Sequence, residues 1–259
     1  MERFEILGVP VSVVNLQSAT NEILSLASMT KPSMVFVREV ASLMAAFDEP
    51  RLKGLHDKAA LVVPDGMPLV WLGRARGLGR KLGRVSGADL IDAISQKSLI
   101  TGQSHFFYGG KPGVAERMAQ NLQAKYPGLK VAGVFSPPMR DIGREFAVDA
   151  DVLNEISQIA QHEPDFIWVG LSSPKQEYWM SAAIEALPRG VCLGVGAAFD
   201  FHSGAVKRAP RWMQASGLEW FHRLASEPRR LWRRYLILAP RFLIGIVLGE
   251  WLIAKKKSQ

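Results

Sequence analysis

The chain has one cysteine, Cys192, set in the apolar run from Val191 to Gly196. A lone thiol excludes an internal disulfide, and with no partner in view it reads as a buried, inert side chain. Histidine is scarce too: His56, His105, His162, His202 and His222 show no metal-ligand spacing. Neither Gly-x-Gly-x-x-Gly nor a Walker loop occurs, so the usual dinucleotide and P-loop signatures are missing. The first ten residues include Glu2 and Glu5 and no long apolar stretch, so no secretory leader is expected. Repeats and low-complexity tracts are lacking, apart from a short lysine tail. The composition is that of an intracellular enzyme, and 259 residues suffice for a sizeable core.

Negative charge is what the C-terminal fifth lacks. From Lys207 onward twelve Lys and Arg stand against Glu219, Glu227 and Glu250, a net of +9 in a chain of +8, leaving residues 1–206 at −1. Trp212, Trp220, Phe221, Leu231, Trp232 and Tyr235 are interleaved with these cations. Such a mixture suits nucleic acid or anionic lipid headgroups. The run Tyr235–Ala254 decides for lipid and against nucleic acid, because it is strongly apolar and about as long as a membrane span. Pro240, Arg241 and Glu250 interrupt it, and charge is costly in hydrocarbon. The segment is expected to lie in the interface, with Lys255–Lys257 on headgroups. The competing reading docks it on the protein's own core. The division expected is a catalytic core, 1–206, and a basic amphipathic appendage, 207–259.

Before the appendage, strands and helices alternate. A β-hairpin turning at Gly8–Pro10 is predicted first. Strands follow at 33–37, 59–63, 105–108, 129–135, 166–171 and 191–196, and helices at 18–27, 39–47, 67–72, 86–94, 114–125 and 175–187. Continuously apolar strands between amphipathic helices predict an α/β fold: a parallel, Rossmann-like sheet with helices on both faces. Ligands of such sheets sit beyond the carboxyl ends of the strands. Asp65, Gly109-Gly110, Ser172–Gln176 and Asp200 all fall there. Asp65, between Pro64 and Gly66, suits a general base; its competing role is a helix cap. Gly109 and Gly110 in GGKPG suit either a phosphate or a plain turn. Asp149-Ala150-Asp151 spells a DxD pattern but opens a predicted helix, where acidic residues are favoured anyway. No metal or other cofactor is expected.

Taken in order, several motifs are more specific than any one. They are Val63-Pro64-Asp65-Gly66, Arg84 to Leu90 (RVSGADL), Tyr126-Pro127-Gly128-Leu129, Val169-Gly170-Leu171 with Pro174 to Glu177 (PKQE), Gly194-Val195-Gly196 to Phe201, Lys207 to Pro210 (KRAP), and Gly217 to Trp220 (GLEW) with Arg223 and Glu227-Pro228. Nearly the whole chain thereby resembles the WecG/TagA/CpsF family of bacterial glycosyltransferases. The resemblance implies metal-independent, inverting transfer from a UDP-sugar (N-acetylmannosamine, its uronic acid, or glucose) to a polyprenyl-diphosphate-linked saccharide, in cell-surface polymer or exopolysaccharide synthesis. It implies a peripheral enzyme on the cytoplasmic face of the bacterial inner membrane, bound to anionic lipid, with self-association left open. By motif, Asp65 resembles the catalytic base. Arg84, Gln176 and Asp200 fall in the donor pocket, with Gly109 and Gly110 assigned beside them. Arg223, Arg230 and Arg233 resemble appendage arginines that meet a diphosphate. One departure stands out: where the family has Thr-x-Asn, this chain has Val37-Arg38-Glu39, placing Glu39 at an acceptor position and opening the sugar specificity. A non-catalytic sugar-nucleotide binder and a nicotinamide-dependent sugar-nucleotide oxidoreductase are the rival classes.

Overall fold

A computed structural model describes residues 1–138 and 149–257. Glu250 and Lys255–Lys257, on which part of the interfacial reading rests, lie outside the residues whose side chains are described.

The N-terminal residues form an antiparallel ribbon, β1 (Arg3–Ile6) with β2 (Val9–Ser12). Its turn falls at Leu7–Gly8, earlier than the expected Gly8–Pro10, with φ of 52° and 74°. Two left-handed residues make the tight turn whose twist suits a hairpin. Pro10 instead lies inside β2, opposite Glu5.

The core then runs α1 (Leu16–Ala27), β3 (Ser33–Arg38), α2 (Val40–Asp48), α3 (Pro50–Lys58), β4 (Leu61–Pro64), α4 (Met67–Ala75), a 3₁₀ turn (Gly79–Lys81) and α5 (Gly87–Thr101). It continues through β5 (Ser104–Gly109), α6 (Val114–Lys125), β6 (Lys130–Phe135), α7 (Ala150–Gln161), β7 (Phe166–Gly170), α8 (Lys175–Ala186), β8 (Val191–Gly194) and α9 (Ala198–His202). Helix α3 was not anticipated. Pro50 reads as a helix stop after α2, yet at a first helical position proline is favoured, because its fixed φ suits the helix and the missing N–H has no partner there anyway.

Six strands make one parallel sheet in the order β4-β3-β8-β7-β5-β6. Successive side chains alternate between its two faces, as the pleat requires. Met34, Phe36, Val62, Tyr108, Ile167 and Cys192 join the cluster under α2, α3, α7 and α8. Val35, Val37, Val63, Phe107, Trp168 and Leu193 join the one under α1, α5, α6 and α9. The parallel α/β core expected from the pattern is the one observed. The neighbouring strands β3 and β8 put their carboxyl ends side by side at the base of a crevice above the sheet.

Residues beyond Lys207 fold back over that crevice as α10 (Arg211–Ala215), α11 (Glu219–Ser226), α12 (Pro228–Trp232), a π-helical stretch (Arg233–Leu238) and α13 (Ala239–Lys257). The π stretch directly precedes Pro240. A proline ring crowds the carbonyl four residues back and leaves it without a donor, and a wider turn relieves both effects. Phe242, 2 % exposed, is buried in the same cluster as Leu43 and Met44 of α2. Both guanidinium Nη atoms of Arg241 meet Asp48 at 2.6 Å. The opposite face of this helical segment leaves Leu236, Ile237, Leu243, Ile244, Val247 and Leu248 exposed. One face therefore docks on the core while the other is open. Among the described residues no helix is long and apolar enough to cross a membrane.

Candidate active site

The crevice is a cavity of about 660 Å³ with a floor of strand ends and a roof of α11, α12 and the π stretch. Of the site residues expected from sequence, Asp65, Arg84, Gln176, Glu39, Arg223, Arg230 and Arg233 all line it. Gly109, Gly110 and Asp200 are not among its lining residues. A Cβ on Gly109 would come within 2.7 Å of the Gly170 backbone, and the Gly110 N–H donates to the Gly170 carbonyl at 3.1 Å. Close approach of β5 to β7 accounts for Gly109; Gly110 has a φ of 76°, and a Cβ there would meet the Val114 side chain at 2.9 Å. Asp200 stands nearby, facing the charges of Arg230, Glu227, Lys111 and Arg223; burial raises its carboxyl despite the cations.

Asp65 follows β4 directly, and its N–H donates to the Arg38 carbonyl at 2.6 Å, which pins the turn to β3. It does not cap α4: the N-cap is Gly66, at φ 130°, and no side chain bonds the helix start. Burial deep in the cavity lifts the Asp65 carboxyl to about 7. The Arg84 charge opposes that rise, while Glu219 and Glu39 add to it. A carboxyl titrating there is a far better proton acceptor at neutral pH than an ordinary aspartate.

The walls are networks of charge. Arg84 Nη1 meets Glu219 Oε2 at 2.7 Å and Arg84 Nη2 meets Asp89 at 3.4 Å. Arg208 Nη1 meets the same Asp89 at 2.6 Å, and Arg208 Nε meets Glu219 at 3.3 Å. The Ser86 hydroxyl donates to Asp89 at 2.6 Å and accepts the Asp89 N–H as the cap of α5. Burial acts to raise the Asp89 carboxyl, but Arg208, Ser86 and Arg84 overcome it and hold it at about 2. Two arginines and two carboxylates thus staple the start of α11 to α5.

Glu39 makes a second staple. Its carboxylate accepts the Ala41 and Ser42 N–H groups, each at 2.8 Å, capping α2, and pairs with Arg234 at 2.5 Å. Burial would raise this carboxyl; Arg234 and the two amides outweigh burial and lower it. The residue standing at the expected acceptor position is therefore already engaged by its own helix and by the appendage.

Arg223 lies 5.6 Å from the Phe201 ring centre, Arg230 bonds Glu227 through Nε at 3.0 Å, and Arg233 stacks 5.3 Å from Trp232. Trp220 and Tyr235, with ring centres 5.7 Å apart, complete the roof. Beneath them the buried Gln176 donates through Nε2 to Glu177 at 2.9 Å, and Glu177 pairs with the buried Arg38. Sequence reasoning did not single out Arg208, Glu219 or Arg234 as site residues. Arg208 and Glu219 did lie in quoted motifs; nothing separates Arg234 from the neighbouring arginines until the π stretch turns it toward Glu39.

Other sequence features fall away from this site. Asp149 caps α7, accepting the Val152 N–H at 2.8 Å, so the DxD pattern is a helix start. Among the described residues no three His, Cys, Asp or Glu side chains are grouped to hold a metal. Burial pushes the Cys192 thiol up to about 12, which makes it inert. A Tyr-x-x-x-Lys spacing of the kind oxidoreductases use does occur, Tyr126 to Lys130, but it runs across a turn into β6. The Tyr126 hydroxyl is tied to Asp92 at 3.0 Å, outside the cavity.

The arrangement joins one carboxylate deep in the cavity, able to take a proton, to several cations able to meet departing phosphate. The family model "Glycosyl transferase WecG/TagA/CpsF family" matches residues 4–257. An N-acetylglucosaminyldiphosphoundecaprenol N-acetyl-beta-D-mannosaminyltransferase of Bacillus spizizenii is 31% identical over 211 residues, covering 81% of this chain and 77% of that protein. The protein of the same name from Bacillus subtilis is 31% identical over 189 residues, covering 73% of this chain and 69% of its own length.

Proposed function

The chain belongs to the WecG/TagA/CpsF family and is a glycosyltransferase, and from that premise we propose that it transfers an N-acetylmannosaminyl group from a UDP-sugar to a polyprenyl-diphosphate-linked N-acetylglucosamine. The relatives' names favour this donor over the uronic acid or glucose. The observation that carries the reading is Asp65, a carboxyl raised to about 7 in a cavity ringed by arginines.

In this reading the acceptor hydroxyl oxygen bonds to the anomeric carbon from the face opposite the diphosphate. Asp65 takes the hydroxyl proton as the carbon–oxygen bond to UDP breaks, so the anomeric centre inverts. The bonding pair leaves with UDP, and its charge is met by Arg223, Arg230 and Arg233 from the roof. A positioned base contributes about 10²–10⁴-fold. The exposed apolar face of the C-terminal helices, with its arginines, supports peripheral attachment to an anionic membrane surface where a lipid-linked acceptor would reside. We assign it to the cytoplasmic face of the inner membrane.

The test is transfer from a panel of UDP-sugars to N-acetylglucosaminyl-diphospho-polyprenol, followed by mass spectrometry of the lipid product. UDP-N-acetylmannosamine should be used at least about tenfold better than UDP-glucose. Preference for another donor would overturn the sugar assignment, and no transfer with any donor would overturn the reaction.

A further inference from the structure

Beneath the arginine roof lies a buried polar cluster that no part of the reaction above requires. Arg38, at the end of β3, and Glu177, in the first turn of α8, are each fully buried and paired. Arg38 Nη1 also reaches the Ser173 hydroxyl at 3.3 Å, in the loop that leads into α8. An ion pair away from water is weak evidence for stability, since desolvation offsets most of the attraction; its use is more often specificity.

The third member shows what is specified. Gln176 is 4 % exposed, lines the cavity, and packs its amide against Gly194, where a Cβ would meet Nε2 at 3.0 Å. Its Nε2 lies 2.9 Å from Glu177 Oε1. An ionised carboxylate only accepts hydrogen bonds, so it dictates that the amide offers its NH₂ group there. The Gln176 carbonyl oxygen must then point the other way. It has no hydrogen-bond partner, and it lies on the side of Gly196, in the cavity lining. A buried acceptor without a partner costs free energy unless a ligand satisfies it.

Resting on the donor reading above, we propose that Arg38 is a positioning residue: it holds Glu177 so that Glu177 fixes the Gln176 amide, presenting Gln176 Oε1 as an acceptor to an N–H or O–H group in the uridine part of the bound nucleotide sugar. A buried carboxylate needs a counter-charge. Arg38, the middle residue of the Val37-Arg38-Glu39 segment, supplies it.

The test is a double-mutant cycle on UDP affinity, read by calorimetry. Arg38→Met with Glu177→Gln replaces the ion pair by neutral residues of similar size, and its second amide can either donate or accept, so Gln176 is free to flip. Gln176→Ala and the pair variant should each weaken UDP binding about fivefold to tenfold, the worth of one oriented hydrogen bond. Combining them should weaken it by no more than about twofold beyond Gln176→Ala alone, because both remove the same acceptor. Multiplied losses would mean independent, structural effects and would overturn the proposal. Should the pair variant unfold, Arg38→Lys keeps the charge but lacks the fork that spans Glu177 and Ser173. It should weaken UDP binding in wild type and add nothing to Gln176→Ala, and wild-type affinity of the Lys variant would overturn the proposal equally. Absence of UDP binding by the wild-type protein would instead overturn the donor reading, and this role with it.

Discussion

The two halves of the cavity are built on opposite terms. Its floor belongs to the sheet, where Arg38 pairs with Glu177 and the Asp65 N–H with the Arg38 carbonyl, and where the buried Gln176 Oε1 is left without a partner among the described residues. Its roof belongs to the C-terminal helices, where Arg230 and Arg233 remain half exposed beside open aromatic and aliphatic side chains. The floor holds Asp65, the carboxyl we propose as the base, and the roof sets the field around it. Glu219 of α11 raises the Asp65 carboxyl while Arg223 lowers it, so the base is tuned by a segment remote in sequence. In the proposed reading, chemistry is anchored deep in the cavity, and recognition of a large, anionic, lipid-borne substrate falls to a surface that can face a bilayer.

Breaking the floor should cost most. Asp65→Asn should lower turnover by at least about 10²-fold, the low end for a general base, with donor affinity little changed; steady-state rates and calorimetry on one preparation check both. Removing the roof should cost less chemistry and more substrate handling. A chain ending before Leu231 loses Arg233, Arg234 and the buried Leu231 and Phe242. It should lose most transfer to long-chain acceptors and all binding to anionic vesicles, and its thermal midpoint should fall. Donor binding should persist, because Arg84, Arg223 and Gln176 remain.

Cutting only the staple between the halves should do least. Glu39→Gln removes one carboxylate near Asp65 and frees Arg234, and both changes favour ionised Asp65. The pH midpoint of activity should move down, with a modest loss of rate. No effect at all is expected from excess EDTA, and loss of activity on chelation would return attention to Asp149 and Asp151.

Legibility in the sequence followed the same division. The parallel sheet could be read because continuously apolar strands and strand-end punctuation are local signals, and Asp65 because Pro64 and Gly66 bracket it. Helix α3 stayed hidden because Pro50 signals both an end and a beginning. Gly109 and Gly110 suited either a phosphate or a plain turn, because the pattern is the same whether backbone approaches a ligand or, as at Gly109, a neighbouring strand. Glu39 could be placed but not understood, since its partner Arg234 arrives only when the π stretch folds back over α2. Charges matched across the whole length of the chain leave no periodic trace.

The account turns on the ionisation of Asp65. A carboxyl raised to about 7 in the folded protein, against 3.8 ordinarily, binds a proton that the unfolded chain has released between those values. That proton stabilises the fold at low pH, and the stabilisation is lost as pH rises through about 7. Asp65→Asn should therefore raise the thermal midpoint more at about pH 8 than at about pH 5. The most direct measurement is the pH dependence of kcat/KM for sugar transfer, which reports the free enzyme's base. It should rise with unit slope and level off above about pH 7, where Asp65 is fully ionised. A profile already flat from about pH 5 upward, the behaviour of an ordinary aspartate, would contradict the account.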